Sequence, residues 1–453
     1  MNKFIKFLIE KLKKLFKRII NSKIIQTSFF NGIANVVRML TGIVSNKIVS
    51  VLLGPSGMAL MGQFSNFSSM VMSFATLGMS TGIIKYTAEY HDDENKRNKA
   101  LSTSFILTIS ATFISIIFVL ITSSYFTESL LYSSEYKIVF ILFGLSLMFF
   151  TLNAYFQNIL NGYKEFRIIV ISNILTSVVG LIISIILVLF FGVIGALLSM
   201  IFSQSLIFFI TLYFVVKTPW FKFKNFIYYL DKRMIIPLLK FSSMAFTSMF
   251  AITFIQLKIR NYIISNISIE DAGYWQGVLK VTNLYIDFIT MTISIYVLPR
   301  LSEIKNSKEL KAEIFKGYKL LIPLTVTLSL FIFIFKGFII NTLFSSSFKP
   351  MEPLFLFQLI GNIFKISAWL LGVLLWAKAM VITFIVIELV FGGINYFLTI
   401  LFVSNYGVIG TTYAYSLEYF ALFIVLIVIF YFYLRKSKRL ELENNLNLEE
   451  IEY

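Results

Sequence analysis

Twelve apolar runs, each of roughly 20 residues or more, occupy most of this sequence, and such a run matches a bilayer hydrocarbon core about 30 Å thick. They lie near 24–53, 58–84, 100–124, 137–160, 168–190, 194–216, 236–264, 272–299, 318–340, 353–376, 380–402 and 408–434. Hydrocarbon offers no water to bond a free N–H or C=O, so runs this long are read as helices that satisfy their own backbone. With 58% hydrophobic and 14% charged residues, a water-soluble fold has no room to hide the apolar side chains. The expected fold class is an all-α polytopic membrane protein of about 12 transmembrane helices.

The net charge of +17 invites a nucleic-acid reading, but the bases sit between hydrophobic runs and do not form a soluble basic face with interleaved aromatics. Short cytoplasmic loops retain Lys and Arg. Starting from a cytoplasmic N-terminus, 30 of the 40 Lys and Arg fall inside, 3 (Lys137, Lys336, Lys349) outside and 7 within spans. Both termini are therefore expected in the cytoplasm. Residues 1–23 place Phe4, Leu8, Leu12 and Leu15 on one helical face opposite seven bases, a basic amphipathic helix suited to an anionic membrane lipid surface. The chain has no cysteine, which removes disulfides, thiolate metal sites and a cysteine nucleophile. Its one histidine, His91, lies in a polar loop and cannot supply a catalytic zinc site, so no metal or other cofactor is expected.

The chain also repeats itself. Gly192-Val193-Ile194-Gly195 recurs as Gly407-Val408-Ile409-Gly410, an offset of 215 residues that also relates Gly62 to Gly277 and Lys85 to Arg300. Two units of six helices, each returning to its starting side, make parallel repeats with a substrate path expected between them. The domain expectation is an N-lobe over 24–216, a Lys- and aromatic-rich cytoplasmic linker over 217–235, a C-lobe over 236–434 and a cytoplasmic tail over 435–453.

A charge at mid-membrane costs a few kcal/mol on insertion scales, so each one needs a reason. The spans hold Arg38 and Lys47 in helix 1, Lys258 and Arg260 in helix 7, and Lys280 and Asp287 in helix 8. Lys365, Glu388 and Glu418 follow in helices 10, 11 and 12. Lys240 can snorkel from the inner end of helix 7. The path is therefore net cationic. Lys365, Glu388 and Glu418 can neutralise one another as a structural ion cluster or act functionally. Arg38 has no such company, because the spans of the first half contain no acid. Lys280 and Asp287, seven apart, share a helix face. Lys258 and Arg260, two apart, point to opposite sides, and Arg260 is expected to snorkel to the outer surface. Asn35, Asn46, Asn153, Gln157, Gln256, Gln276, Asn283 and Asn395 add groups suited to sugar hydroxyls or to interhelical hydrogen bonds.

The stretch Ala272-Gly273-Tyr274-Trp275-Gln276-Gly277, continuing through Val278, Asp287 and Tyr296 to Leu298-Pro299-Arg300-Leu301-Ser302-Glu303, resembles the eighth-helix segment of Wzx-type flippases. These are the O-antigen and enterobacterial-common-antigen flippases of the multidrug/oligosaccharidyl-lipid/polysaccharide exporter superfamily. The layout is similar over nearly the whole chain, from Asn31-Gly32 and Leu53-Gly54-Pro55 to Gly407-Val408-Ile409-Gly410. The resemblance implies a V-shaped pair of six-helix lobes moving an undecaprenyl-diphosphate-linked oligosaccharide across the bacterial inner membrane, with glycan polymerase machinery as a downstream partner. It also implies a central cavity lined by helices 1, 2, 7 and 8, where Arg38, Lys258 and Lys280 would bind substrate. Asp287 and Glu388 would serve coupling or charge balance. The resemblance does not extend to the two extra C-terminal helices of the peptidoglycan-precursor flippases, so a peptidoglycan precursor is the less expected cargo.

Two other classes compete. A cation-coupled drug exporter of the same superfamily resembles its relatives in carrying an acidic ion site in the N-lobe, and those spans hold no acid here. A membrane glycan polymerase needs spaced carboxylates or cations on a long outer loop. The outer loops are short, and Glu128, Glu135, Glu270 and Asp271 form no such pair.

Overall fold

The computed structural model describes residues 23–449 apart from 228, 229 and 305, so the expected helix over 1–23 lies outside the described residues save its last position, as does the side chain of Lys240. Among the described residues every regular element is a helix. In chain order those of more than four residues begin with α1 (Lys23–Ala75), α2 (Ser80–Glu89), α3 (Glu94–Leu131), α4 (Lys137–Gly162), α5 (Phe166–Val216), α6 (Lys232–Asn266) and α7 (Ile269–Thr292). After a π-helical segment over Ile293–Val297 come α8 (Leu298–Glu303), α9 (Ser307–Ile334) and α10 (Lys336–Leu343). A 3₁₀ segment over Ser346–Leu354 leads into α11 (Phe355–Ala377), α12 (Val381–Tyr406) and α13 (Gly410–Glu449).

Among the described residues eight stretches are long and apolar enough to cross a membrane. Three of these, over 32–75, 166–216 and 381–439, turn back at Gly54, Gly192 and Gly407 and so hold two spans each. α7 is not among the eight because Lys280 and Asp287 interrupt its apolar run. Counting the turned stretches twice and adding α7 agrees with the twelve runs of the sequence. The second run, 58–84, is not one continuous helix. Leu77 (φ 51°) and Gly78 (φ 61°) are left-handed, a conformation that ends a right-handed helix, so the chain breaks over Thr76–Met79 before α2 begins.

The chain forms two compact units. The first takes in the described residues of 1–48, 74–124 and 135–242, and the second those of 49–73, 125–134 and 243–453. Segments 49–73 and 125–134 belong to the first six-helix block of the sequence but cluster with residues of the second. In the first unit, Met79, Tyr155, Phe156, Phe208 and Phe226 form the centre of an apolar core. Tyr155 Oη donates to Leu101 O at 2.7 Å and Thr112 Oγ1 donates to Thr151 Oγ1 at 3.1 Å. Such interhelical bonds contribute about 0.6 kcal/mol each. In the second unit α11 is the axis: 61% of its apolar window is buried, against 11% for the window in α12 and α13.

The repeated glycines explain how each block closes. Gly192 (φ 55°, ψ −128°) and Gly407 (φ 65°, ψ −155°) share a backbone region open essentially only to glycine. Three residues on, a Cβ on Gly195 would strike the Leu187 carbonyl, and one on Gly410 would strike the Phe402 carbonyl. Leu187 and Phe402 are again 215 apart. The repeat is therefore one turn built twice, in which one glycine reverses the chain and another lets the returning helix touch backbone. Gly192→Ala and Gly407→Ala should each destabilise the protein by about 1–2 kcal/mol. Gly393→Ala, on α12 with open space around it, should be neutral or stabilising by up to about 1 kcal/mol. Thermal melts in detergent read the difference, and equal melting for Gly407→Ala and Gly393→Ala would contradict it.

Candidate functional site: two polar clusters in the second unit

The first cluster is set by the start of α7. Ser268 caps the helix, its Oγ accepting from Asp271 N at 3.0 Å while donating to Asp271 Oδ2 at 2.6 Å, and Glu270 and Asp271 complement the helix dipole. From that start, Trp275 and Gln276 face Arg260 of α6. The Arg260 guanidinium lies 5.2 Å from the Trp275 ring centroid, and Nη2 donates to Gln276 Oε1. Arg260 is only 1% exposed, so it does not snorkel. An aromatic face and an amide oxygen draw it inward instead, an arrangement that suits a weakly hydrated guanidinium. Lys258, two residues earlier, takes the opposite side as expected and is exposed, its Nζ 5.6 Å from the Phe254 ring. Lys280 follows Gln276 by one turn, is half-buried and feels the charge of Arg260.

The second cluster centres on Lys365 of α11. Its ammonium lies 5.8 Å from the Tyr415 ring centroid and 5.4 Å from that of Tyr419, residues one turn apart on α13. The charges acting on it are, in order of strength, Glu418, Asp287 and Glu388. Glu418 is 6% exposed and Glu388 is half-buried. One turn from Lys365, Asn362 joins three helices. It accepts from Tyr415 Oη at 2.7 Å and donates to Tyr285 Oη at 2.8 Å, and Tyr285 meets Ser329 Oγ at 3.1 Å.

Of the residues singled out from the sequence, Lys280 and Arg260 come together on α7 and α6. Asp287 and Glu388, with Lys365 and Glu418, form the second group. Asp287 is exposed and Lys258 stands apart from both groups at the surface. Arg38 is exposed on α1 in the first unit, and Lys47 of the same helix is half-buried. Sequence reasoning missed Tyr285, Ser329, Asn362, Tyr415 and Tyr419. A signal was present: Asn362 and Lys365 are three apart, and Tyr415 and Tyr419 flank Glu418 at helical spacing.

If Lys365 and Glu418 form one network, their losses are not additive. Lys365→Met and Glu418→Gln should each lower the melting temperature, while the double variant loses less than the sum, with a coupling of about 0.5–3 kcal/mol. Additivity to within about 0.5 kcal/mol would show that the two charges are independent.

Comparison with known proteins agrees with this architecture. Residues 24–305 match the family described as polysaccharide biosynthesis protein. The chain is 24% identical over 413 residues to the lipid III flippase of Escherichia coli (strain K12), covering 91% of this chain and 99% of that one. It is 24% identical over 338 residues to a putative O-antigen transporter of Shigella flexneri, covering 72% and 78% respectively. Among solved structures, a multidrug resistance MATE family transporter of the MOP superfamily in an inward-facing conformation aligns with TM-score 0.78 at 14% identity, covering 89% of this chain and 99% of that one. A MOP superfamily transporter from Pyrococcus furiosus aligns with TM-score 0.71 at 13% identity, covering 93% and 98%. At such identities the likeness is one of fold. The chain is a member of the polysaccharide biosynthesis protein family, a polytopic membrane protein with the fold of the MOP superfamily transporters.

Proposed function

We propose that this protein is a flippase that moves undecaprenyl-diphosphate-linked oligosaccharide repeat units from the cytoplasmic to the periplasmic leaflet of the bacterial inner membrane by alternating access. The observation that carries the reading is a relationship to a lipid III flippase that spans 91% of this chain and 99% of the relative. The chemistry is congruent with it. A diphosphate carries its charge across hydrocarbon only if bases neutralise it, and the spans of this chain hold more bases than acids. On this reading the protein translocates its cargo unchanged and is not an enzyme, and glycan polymerase machinery takes up the product outside.

The finer assignments belong to the same proposal. The blocks 24–216 and 236–434 are the two lobes, 217–235 is the cytoplasmic linker, and both termini are cytoplasmic. Arg38, Lys258 and Lys280 contact the diphosphate or an acidic sugar. Asp287 and Glu388 serve coupling or charge balance, and their placement around Lys365 supports that role because protonation of either carboxylate alters the charge that the ammonium faces.

Complementation of a flippase-null strain tests the reading, with each variant checked for expression in membranes. A guanidinium grips phosphate oxygens in a planar, bidentate way that an ammonium cannot. Arg38→Lys should therefore be impaired and Arg38→Ala more so, by about 2 kcal/mol or roughly 30-fold in rate. Full glycan display by Arg38→Ala at native expression would remove Arg38 from the binding set. In the same strain, normal and pH-independent display by both Asp287→Asn and Glu388→Gln would remove the coupling role.

A further inference from the structure

Arg260 is buried without the bonds that a buried guanidinium ordinarily makes. Among the described residues only Nη2 has a partner, the side-chain oxygen of Gln276; Nε and Nη1 are buried and have none there. Among the described residues no carboxylate pairs with it, and its charge acts on another base, Lys280. Arginine does not escape by losing its proton. A buried polar group left unmatched is either strain held by the surrounding fold or a group waiting for a ligand.

What holds Arg260 in place is the segment of α1 beyond Gly54. Gly62 lies against it so closely that a Cβ there would come within 3.0 Å of Arg260 Cζ and 2.8 Å of Gln276 Oε1. Further toward the turn, Gly273 of α7 meets the backbone of Pro55, and Ser56 Oγ donates to Glu270 Oε1 at 2.7 Å. Positions 55, 56 and 62 on one helix thus track 273, 270 and 276 on the other as a continuous seam. The covering segment lies between two left-handed breaks, Gly54 at one end and Leu77–Gly78 at the other. A helix between two such breaks can swing as a unit.

We propose that Arg260 is a further cargo-binding residue, a ligand for phosphate oxygens that the segment 55–75 covers in this state and uncovers when the seam at Ser56–Glu270 parts. The inference rests on the flippase reading. Once uncovered, the edge that Gln276 leaves open, Nη2 with either Nε or Nη1, presents the fork that grips a phosphate bidentately, the remaining nitrogen is a further free donor, and Lys280 one turn beyond Gln276 adds a second positive charge. On the proposed topology this seam is at the periplasmic end, so Arg260 would meet the diphosphate late in its passage. The same chemistry would also accept a free inorganic diphosphate.

The test uses the absence of native cysteine. Ser56→Cys/Glu270→Cys in the full chain, purified into nanodiscs, is bridged with a short bis-thiol reagent, and binding of undecaprenyl diphosphate is measured with and without the bridge. The unbridged protein should bind at least tenfold more tightly than the bridged protein. Arg260→Gln on the unbridged protein should lose at least tenfold, and Arg260→Lys, which keeps charge and bulk but not the fork, should lose severalfold. Inorganic diphosphate that competes at similar concentration would identify the phosphate group alone as the ligand; no competition would identify the lipid-linked form. Binding by Arg260→Gln and Arg260→Lys within twofold of the unsubstituted protein, even with a lowered melting temperature, would reduce Arg260 to a packing residue and overturn the proposal. If Arg260→Gln does not fold, Arg260→Lys decides. Failure of the unsubstituted protein to bind undecaprenyl diphosphate at all would instead sink the flippase reading, and this inference with it.

Discussion

A charge inside hydrocarbon must find a counter-charge, a polar partner, water or a ligand, and the chain places its costliest residues according to that constraint. The apolar runs need no explanation beyond the bilayer, since a helix satisfies its own backbone and presents side chains as apolar as the lipid. The charged positions do need one. In the second unit all but the exposed Lys258 resolve into two arrangements, Lys365 among three carboxylates and two tyrosine rings, and Arg260 against an indole and one amide. The first holds more acids than bases, with two aromatic faces against its ammonium. The second is cationic and under-bonded. A transporter of an anionic lipid needs both kinds, one to carry or balance charge within the protein and one to receive it from the cargo.

Backbone geometry then decides what can move and what can touch. Gly192 and Gly407 reverse the chain at equivalent points of the two blocks, and Gly195 and Gly410 let the returning helices approach backbone to backbone. These positions are fixed by sterics on both sides, which suits turns that stay closed. Gly54 adopts the same backbone region as Gly192 and Gly407, but together with the Leu77–Gly78 break it bounds a single helical segment whose contacts include one side-chain hydrogen bond and the covered Arg260.

Much of this was legible in the sequence, for identifiable reasons. The all-helical, many-span class followed from hydrophobic length, and even α7, whose apolar stretch is weaker than those of the other long helices, was visible once Lys280 and Asp287 were read as intramembrane charges. The repeat was visible because four identical residues recur at one offset, and the structure gives both copies the same strained glycine. Arg260 was misplaced because burial of a guanidinium depends on Trp275 and Gln276 in a neighbouring helix and on the missing side chain of Gly62, none of which is local to it. The break after Ala75 was hidden because Leu77 is an unremarkable residue in an apolar run. Tyr285, Asn362 and Tyr415 were overlooked because their bonds join helices far apart in the chain, and only the fold brings them together.

The central claim, that a net-basic path in this fold carries a lipid-linked oligosaccharide from one leaflet to the other, is tested most directly by reconstitution. Purified protein in vesicles of bacterial phospholipid is loaded with an undecaprenyl-diphosphate-linked oligosaccharide in one leaflet, and its appearance in the other is read with a membrane-impermeant sugar-oxidising reagent. The account predicts transfer that requires the protein and leaves the lipid-linked sugar chemically unchanged. Leaflet distribution that stays the same with and without folded protein, in vesicles where the same preparation moves lipophilic cations, would contradict it and favour a drug exporter on the same fold.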